Sequence, residues 1–407
     1  MKNDFIPYQQ ALDIIAQNAM RMETVSLPIT AAGGAVLDED LVADRDFPPF
    51  DRVTMDGIAI CYKSYANGQR AFPISAIAAA GAPQSTLADP TQCIEIMTGA
   101  MMPHHADTVI PYEDIIIENG VATLGAISIL EQQNIHFKAS DVKAGAVLVR
   151  AGVVLSSAEI NIAAAVGKAN IKVKKMPKAV IISTGDELVD VHQTPAVHQI
   201  RRSNVYGIKN TLAEWGISAD LAHLKDEKES ILQKIKELLA VYDFFVITGG
   251  VSKGKYDFLP QVLEELGVEK HFHKIQQRPG KPFWFGTSAN NKRIFALPGN
   301  PVSSFVCLYA YVKYWLQTSL GVAQEMVTVI LDQEVHFQPH LIYFLEAKIH
   351  FHSSGKLIAA PIKGNGSGDF ANLLHADGFL ILPQEQSHFK KGAAYPFIAY
   401  KKIGPLL

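Results

Sequence analysis

Residues 244–252, Phe-Phe-Val-Ile-Thr-Gly-Gly-Val-Ser, join an apolar run typical of a buried strand to a glycine-rich loop. Three other apolar runs are followed by polar or glycine-rich loops, at residues 183–188, 225–226 and 297–303. In an open parallel sheet the carboxyl ends of the strands share one edge, where ligands bind. The four loops are therefore predicted to meet in one cleft.

The predicted cleft combines several kinds of ligand group. Glycine N–H groups suit phosphate oxygens, carboxylates suit a hard cation, and hydroxyls and amides suit polar ligand groups. An anionic, nucleotide-like substrate is therefore expected. The candidate substrate-binding residues at or beside these loops are Ser183, Thr184, Gly185, Asn204, Gly249, Gly250, Ser252, Pro298, Asn300, Pro301 and Ser303.

Strand and helix patterns alternate around these loops. Apolar runs predict strands over residues 179–182, 217–224, 244–247 and 293–297. Helical spacing and terminal signals predict helices over residues 204–215, 227–242, 257–266 and 302–316. Such alternation predicts βαβ units and an α/β domain with a mostly parallel sheet.

Outside the α/β region the hydrophobic periodicity of the sequence differs. A chain of 407 residues is long enough for two to four domains. Helical spacing predicts an opening helix over residues 8–22, and Ser156 and Glu159 form a candidate capping box. The predicted division is a discontinuous helical domain (1–48 with 141–175), a β-rich domain (49–140), the central α/β domain (176–323) and an all-β C-terminal domain (324–407).

Composition narrows the class of protein. The chain has 37 Lys and Arg against 40 Asp and Glu, a net charge of −3, so no general basic field recruits nucleic acid or a membrane. Cys61, Cys93 and Cys307 are far apart, which argues against a disulfide framework or a cysteine zinc site and for a reducing compartment. No run reaches membrane-spanning length and the first residues lack a signal-peptide pattern. We expect a cytoplasmic, soluble protein.

Acidic residues recur after the predicted strands. Asp186 and Glu187 follow the first strand, Asp226 the second and Asp257 the third. The topology should bring these carboxylates together, and an oxygen-rich set of this kind suits Mg²⁺. Taken singly, each acid also fits an exposed helix cap, with Asp257 as a simple N-cap.

Residues 278–282, Arg-Pro-Gly-Lys-Pro, place two cations on a chain stiffened by prolines. Arg278 and Lys281 could neutralise a phosphate or an oxyanion such as molybdate or sulfate, although a solvated loop is the plainer interpretation. The functional interpretation is favoured because the loop at 297–303 follows shortly and also opens a helix.

Three further motifs lie outside the α/β region. Residues 54–59 read Thr-Met-Asp-Gly-Ile-Ala, residues 96–103 contain Met-Thr-Gly-Ala-x-x-Pro, and residues 364–368 read Gly-Asn-Gly-Ser-Gly before Ala-Asn-Leu-Leu at 371–374. Together with the loops above, these motifs resemble, in order and over nearly the whole chain, the molybdopterin molybdenumtransferase family, the relatives of the gephyrin E domain.

The resemblance implies a fold and a set of site residues. The implied fold is α/β multidomain: a central, mostly parallel sheet domain, a β-rich domain, a discontinuous helical part and a C-terminal β-barrel, assembled as an elongated homodimer whose cleft includes parts of the partner chain. The implied catalytic residues are Asp56, Glu187, Asp226, Asp257 and Lys281, of which Glu187, Asp226 and Asp257 would hold Mg²⁺. Thr98, Arg278 and Ser367 would contact an oxyanion or the pterin phosphate, and Pro298 and Pro301 would shape the pocket.

The implied reaction consumes adenylylated molybdopterin and molybdate and releases AMP as molybdenum enters the dithiolene. Further implied partners are a molybdopterin adenylyltransferase and the recipient molybdoenzymes. Two alternatives stay open: a molybdopterin adenylyltransferase, which shares the central glycine motifs, and a non-catalytic scaffold or carrier like gephyrin. Four positions depart from the family pattern, namely Val53, Arg202, Arg278 and Glu346.

Overall fold

The computed structural model of the protein describes residues 5–251, 258–324 and 326–403. The chain divides into two compact units. Ser26–Gly33 and Leu37–Ile171 form one, which we call the inserted unit, and the other described residues form the main unit. The predicted site residues Ser252 and Asp257 lie outside the described residues.

The inserted unit is built on a six-stranded sheet. Its strand order is Thr108–Pro111, Gly57–Ile60, Cys93–Ile96, Ala71–Ala78, Val121–Leu124 and Ile115–Glu118. All neighbours are antiparallel except the pair formed by Ala71–Ala78 and Cys93–Ile96. The short strands Leu41–Val42 and Val147–Val149 form a separate pair, as do Arg52–Val53 and Ile135–His136.

Helices are few in the described part of the inserted unit: Tyr62–Ala66, Ser157–Ala165, and the 3-10 turns Ile29–Ala31 and Tyr112–Asp114. The predicted capping box is confirmed, because the Ser156 side chain accepts from the backbone of the first turn while Glu159 accepts from the Ser156 N–H at 2.7 Å. The chain passes between the units within the strands Thr24–Pro28 and Asn170–Lys174, and again on either side of the short segment Gly34–Val36.

A six-stranded sheet lies at the centre of the main unit. Its order is Ala219–Leu224, Ala179–Thr184, Phe244–Thr248, Arg293–Leu297, Trp284–Ser288 and Val268–His273. The first four strands are parallel, as predicted, and the last two continue the sheet in antiparallel fashion.

Alternate residues of the central strands enter two different hydrophobic cores. Ile181 and Val246 belong to one core, whereas Ile182 and Ile247 belong to the other. Because successive strand side chains point to opposite faces, a continuous apolar run implies cover on both faces. Helices supply that cover: Tyr8–Gln17, Asn204–Glu214, Pro301–Cys307 and Lys313–Leu320 for the first core, Lys228–Val241 and Leu259–Glu265 for the second. A π-helical segment, Leu308–Val312, interrupts the predicted helix 302–316.

Five strands close into a barrel in the last part of the chain. Going around the barrel they are Val327–Leu331, Leu357–Pro361, Ile342–Phe351, Gly378–Leu382 and Ala394–Ala399. Shorter elements are Val335–His336 paired with His388–Phe389, Leu188–Val189 paired with Ile200–Arg201, and the 3-10 helix Phe370–Leu374. The predicted fold class is therefore confirmed, and the domain boundaries stay predictions.

Over residues 5–251, 258–324 and 326–403, no helix combines the length and apolarity needed to cross a bilayer.

Candidate functional site

A cleft of about 960 Å³ lies in the main unit, with walls from both the central sheet domain and the barrel. We call it the barrel-side cleft. The predicted site residues that line it are Arg278, Lys281, Pro298, Asn300, Ser303 and Ser367. The structure thus brings together residues that are up to 89 positions apart in the sequence.

Arg278 reaches this cleft through a backbone pairing with the barrel. The short strand Gln277–Arg278 runs parallel to the start of Ile342–Phe351, with Arg278 opposite Tyr343. The guanidinium is exposed and lies 5.9 Å from the centre of the Phe337 ring. The Lys281 ammonium lies 4.7 Å from the centre of the Phe5 ring. Neither cation forms an ion pair with a carboxylate of the described residues, so both are available to an anion.

A buried glutamine holds the loop that carries these two cations. Gln277 is 1% exposed, its amide donates to the Pro279 carbonyl at 2.9 Å, and its Oε1 accepts from the Tyr311 hydroxyl. Gly280 has φ +88°, and a Cβ there would lie 2.5 Å from Gln277 Nε2 and 2.9 Å from Cys307 Sγ. Gln277 and Tyr311 were not predicted as site residues, since their role depends on this tertiary contact.

Hydroxyl and amide groups complete the cleft on its other side. Asn300 Nδ2 donates to Ser367 Oγ at 2.8 Å, and the Val302 N–H donates to the Ser367 carbonyl at 3.1 Å. Pro301 begins the helix Pro301–Cys307, where its missing N–H leaves no bond unmade. The loop containing Ser367 is therefore tied to the start of that helix.

Glu346 also lines the barrel-side cleft. It is buried, and its Oε1 accepts from Asn372 Nδ2 at 3.2 Å. Burial raises the pKa of the Glu346 carboxyl, and this hydrogen bond opposes the rise. The structure thus places a buried acid, and not a cation, at this position of the cleft wall.

The carboxyl ends of the parallel strands lie at one edge of the sheet, but the loops after them do not line the single cleft predicted. Pro298, Asn300 and Ser303 line the barrel-side cleft, whereas Asp186 and Lys225 line a second cleft described below. The Gly249 N–H donates to the Leu297 carbonyl at 3.1 Å, and the Gly185 N–H donates to the Leu224 carbonyl at 3.3 Å. Gly250 has φ +67°, and a Cβ there would lie 2.8 Å from Thr184 Oγ1. Close approach and positive φ explain why this turn is built from glycine.

Thr184 adds an unusual polar atom at this edge. The residue is 5% exposed, and its Oγ1 has no hydrogen-bond partner among the described residues. A buried hydroxyl without a partner costs free energy, so such an atom in a glycine-lined turn points toward a ligand. On the neighbouring strand connection, Asn204 Nδ2 donates to the Gly299 carbonyl at 2.8 Å.

The predicted acids lie close to the same edge. The Asp226 N–H donates to Asp186 Oδ1 at 3.3 Å, and the Glu187 carboxylate folds over Gly185, where an added Cβ would lie 2.5 Å from Oε2. Within the described residues, Glu187 and Asp226 do not form a group of three metal-ligand side chains with a third acid. The Mg²⁺ ligand set stays a prediction that also involves Asp257.

A second cleft, of about 570 Å³, lies beside these acids. We call it the sheet-edge cleft; it is lined by Asp186, Asp190, Arg202, His223, Lys225 and other residues of this edge. Arg202 forms an ion pair with Asp190, and this contact lowers the pKa of the Asp190 carboxyl. Asp190 was not predicted, because its ion pair with Arg202, 12 positions away, forms only in the folded chain.

His223 is held in the sheet-edge cleft by Ser183. The Ser183 hydroxyl and His223 Nδ1 are 3.0 Å apart. Burial lowers the pKa of His223, and Arg202 lowers it further, against opposing contributions from Ser183 and from Asp186 and Asp226. The sequence offered one signal for this residue, namely its position one residue before the end of a parallel strand.

The predicted residues Asp56 and Thr98 lie together in the inserted unit. Asp56 Oδ1 accepts from the Thr98 N–H at 2.6 Å, and this contact holds the pKa of Asp56 below its ordinary value. A Cβ on the adjacent Gly57 would lie 1.9 Å from the Ile110 carbonyl oxygen. The Asp-Gly pair of this motif thus has both a polar contact and a packing requirement.

Comparisons with known proteins cover almost all of the chain. Residues 6–167 match the MoeA N-terminal region (domain I and II), residues 180–318 a probable molybdopterin binding domain, and residues 328–400 the MoeA C-terminal region (domain IV). The chain is 40% identical over 393 residues to a molybdopterin molybdenumtransferase from Synechocystis, covering 96% of this chain and 98% of the relative. The chain belongs to the molybdopterin molybdenumtransferase (MoeA) family.

Other MoeA relatives agree in length and fold. A molybdopterin molybdenumtransferase from Staphylococcus aureus is 29% identical over 96% of this chain and 94% of its own length. Two crystal structures of the MoeA protein from Pyrococcus horikoshii superpose with TM-scores of 0.84 and 0.81, at 28% and 26% identity, each covering at least 97% of this chain and all of that one. The resemblance inferred from the motifs is confirmed.

Proposed function

We propose that this MoeA-family chain inserts molybdenum, supplied as molybdate, into adenylylated molybdopterin and releases AMP. The observation that carries the proposal is the barrel-side cleft, which gathers Arg278, Lys281, Asn300, Ser303 and Ser367. Two cations without carboxylate partners among the described residues, beside hydroxyl and amide groups, suit a phosphorylated pterin and an oxyanion.

The roles of these residues follow from their chemistry. Arg278 can bind two oxygens of one phosphate or oxyanion through its planar guanidinium, whereas Lys281 offers a compact point charge. The hydroxyls of Ser303 and Ser367 and the Asn300 amide orient the ligand through hydrogen bonds. Groups fixed before the ligand arrives stabilise negative charge without reorganisation during reaction.

We further propose that the reaction uses Mg²⁺. Glu187, Asp226 and Asp257 would hold it, and the oxygen donors of the two described acids suit this hard ion. Mg²⁺ sites commonly use one or two carboxylates together with substrate phosphates and water. The two carboxylates of Glu187 and Asp226 therefore match the usual number and type of protein ligands. When bound, the ion would offset negative charge on the pyrophosphate bridge of the substrate.

The assembly of the active molecule is also a proposal. We infer a cytoplasmic homodimer in which Asp56 and Thr98 of one chain serve the substrate bound by its partner. The pre-formed Asp56–Thr98 contact and the lowered pKa of Asp56 support a carboxylate that is ionised and oriented near neutral pH. The molybdopterin adenylyltransferase and the recipient molybdoenzymes would act immediately before and after this step.

The test is AMP release from adenylylated molybdopterin by the purified protein, with and without molybdate and Mg²⁺. We expect molybdate-dependent release that is lost in Lys281→Ala and Asp257→Ala and kept in Lys356→Ala, which changes an exposed lysine of a barrel turn. Substrate binding without any release would refute the proposal in favour of a carrier. Transfer of AMP from ATP onto free molybdopterin would instead identify an adenylyltransferase.

A further inference from the structure

Two histidines lie directly opposite each other on the short strand pair near the barrel. In the antiparallel pairing of Val335–His336 with His388–Phe389, His336 faces His388. Their imidazole rings stack with centres 4.4 Å apart and an angle of 11° between the planes. Directly opposed residues of an antiparallel pair have Cβ atoms about 4.5–5.5 Å apart, so the backbone itself holds the two rings together.

The same pairing directs the histidines outward. Phe337 and Phe389 are buried in the core of the barrel, and strand side chains alternate between faces. His336 and His388 are therefore exposed on one face. Glu334 lies two residues before His336, on that face, and its Oε2 is 3.4 Å from His388 Nε2.

One ligand atom from each of these three residues lies within 4.8 Å of the others. Within residues 5–251, 258–324 and 326–403 this is the single group of three His, Cys, Asp or Glu side chains that meets that limit. A tetrahedral zinc site with ligand distances of about 2.1 Å requires ligand atoms about 3.4 Å apart. The Glu334–His388 separation already has this value.

The donor set indicates the class of metal. Two imidazole nitrogens and one carboxylate oxygen are characteristic of Zn²⁺ and neighbouring transition-metal ions, whereas Mg²⁺ and Ca²⁺ prefer oxygen ligands alone. Binding requires each ring to tilt about its Cβ–Cγ bond, because the nitrogen lone pair lies in the plane of the ring. Exposed side chains can make this adjustment without disturbing the core.

We propose that Glu334, His336 and His388 bind one divalent transition-metal ion of the Zn²⁺ class. Three protein ligands leave a fourth position for water or another small ligand. Glu334 and His336 line the barrel-side cleft, so the bound ion lies at the wall of that cleft. The site is separate from the acids proposed for Mg²⁺.

The experiment measures metal binding by the full-length, tag-free chain after treatment with a chelator. Titration calorimetry with Zn²⁺ should give one ion per chain at this site, and Co²⁺ should give the visible absorption bands of tetrahedral coordination. His388→Gln and His336→Gln should each weaken binding by ~10-fold or more, since even the loss of an outer-shell partner commonly costs 10–100-fold. A millimolar excess of Mg²⁺ should not displace the ion.

His350→Gln is the matched control, because His350 is an exposed barrel histidine outside the group. It should bind Zn²⁺ like the parent chain. Glu334→Gln provides a further variant if a histidine substitution alters the far-UV circular dichroism. Absence of Zn²⁺ binding, or equal affinity in the parent chain, His388→Gln and Glu334→Gln, would overturn the proposal and leave only a His–Glu contact. The readout is binding, so it is independent of AMP release.

Discussion

The barrel-side cleft and the sheet-edge cleft each contain an arginine, but the two arginines are in opposite electrostatic states. Arg278 is exposed and contacts no carboxylate of the described residues, whereas Arg202 is paired with Asp190. An unpaired guanidinium attracts an anion, whereas one paired with a carboxylate offers a ligand less net positive charge. A charged side chain in a cleft therefore indicates ligand binding only if no neighbouring side chain of opposite charge already pairs with it.

Among the effects that test this comparison, the largest is expected at Arg278. Arg278→Ala should lower kcat/KM for AMP release by ~100-fold or more, the usual effect of losing one fixed charge-stabilising donor. Arg278→Lys keeps the charge but loses the two-oxygen contact of the guanidinium, so its kcat/KM should lie between those of Arg278→Ala and the parent. Steady-state kinetics of both variants would check this.

The control for Arg278→Ala and Arg278→Lys is Lys356→Ala, which removes an exposed cation from the turn between two barrel strands. If Arg278→Ala were as active as that control, Arg278 would be a surface charge like any other, and the contrast between the clefts would fail.

The second effect concerns the loop beneath Arg278. Gly280→Ala should lower the free energy of unfolding by ~2–4 kcal/mol, because it combines a left-handed backbone with contacts of 2.5 and 2.9 Å to Gln277 and Cys307. Gly267→Ala shares the positive φ, at +75°, but meets nothing within 4 Å, and should cost only ~1–2 kcal/mol. Denaturant titration of both variants separates packing from backbone strain, and equal losses would show that the Gln277 contact is not tight.

A third, smaller effect lies at the strand ends. Thr184→Val should leave stability unchanged or raise it by ~1 kcal/mol, since it removes a buried hydroxyl without a described partner. Thr211→Val, at an equally buried hydroxyl 3.5 Å from that of Tyr309, should instead lose ~0.5–1.5 kcal/mol. Thermal unfolding would compare them, and a clear loss of stability in Thr184→Val would reveal a partner for its hydroxyl.

The smallest effect is the pH response of the sheet-edge cleft. Burial and Arg202 lower the pKa of His223, so the unfolded chain binds the proton more readily than the folded one. Stability should therefore fall as pH drops below about 6.5, with a slope of at most ~1.4 kcal/mol per pH unit for one proton. His223→Gln should flatten this part of the profile measured by denaturant titration. An unchanged slope would assign the response to other groups.

Much of the fold could be predicted because its main strands are continuous apolar runs. The four predicted parallel strands agree with the structure within two residues at each end, whereas the loops after them line two clefts instead of the one predicted. The edge strand Val268–His273 was missed since a register shift between Lys270 and Phe272 breaks its alternation. Trp284–Ser288 was missed because it follows directly on a loop rich in proline and glycine.

Site residues could be predicted only where a local sequence feature, such as a strand end or a motif, marks them. Asn300 and Ser303 follow a strand and Ser367 lies in a recognisable motif, so the sequence indicated all three. Gln277 and Asp190 matter through Tyr311 and Arg202, and such pairings are formed only by the tertiary structure. Sequence motifs and spacing alone do not reveal these tertiary contacts.

The chain's first helix has a consequence for the order of synthesis. Tyr8–Gln17 packs in the main unit, and the Met20 N–H donates to Ser319 Oγ at 2.9 Å across 299 positions. At ~5–20 residues per second, a ribosome needs ~15–60 s to travel that distance. The apolar face formed by Ala11, Leu12 and Ile15 must wait for its partners while the whole inserted unit emerges. A nascent chain halted before residue 313 lacks the helix Lys313–Leu320 and would therefore leave part of this face exposed to solvent.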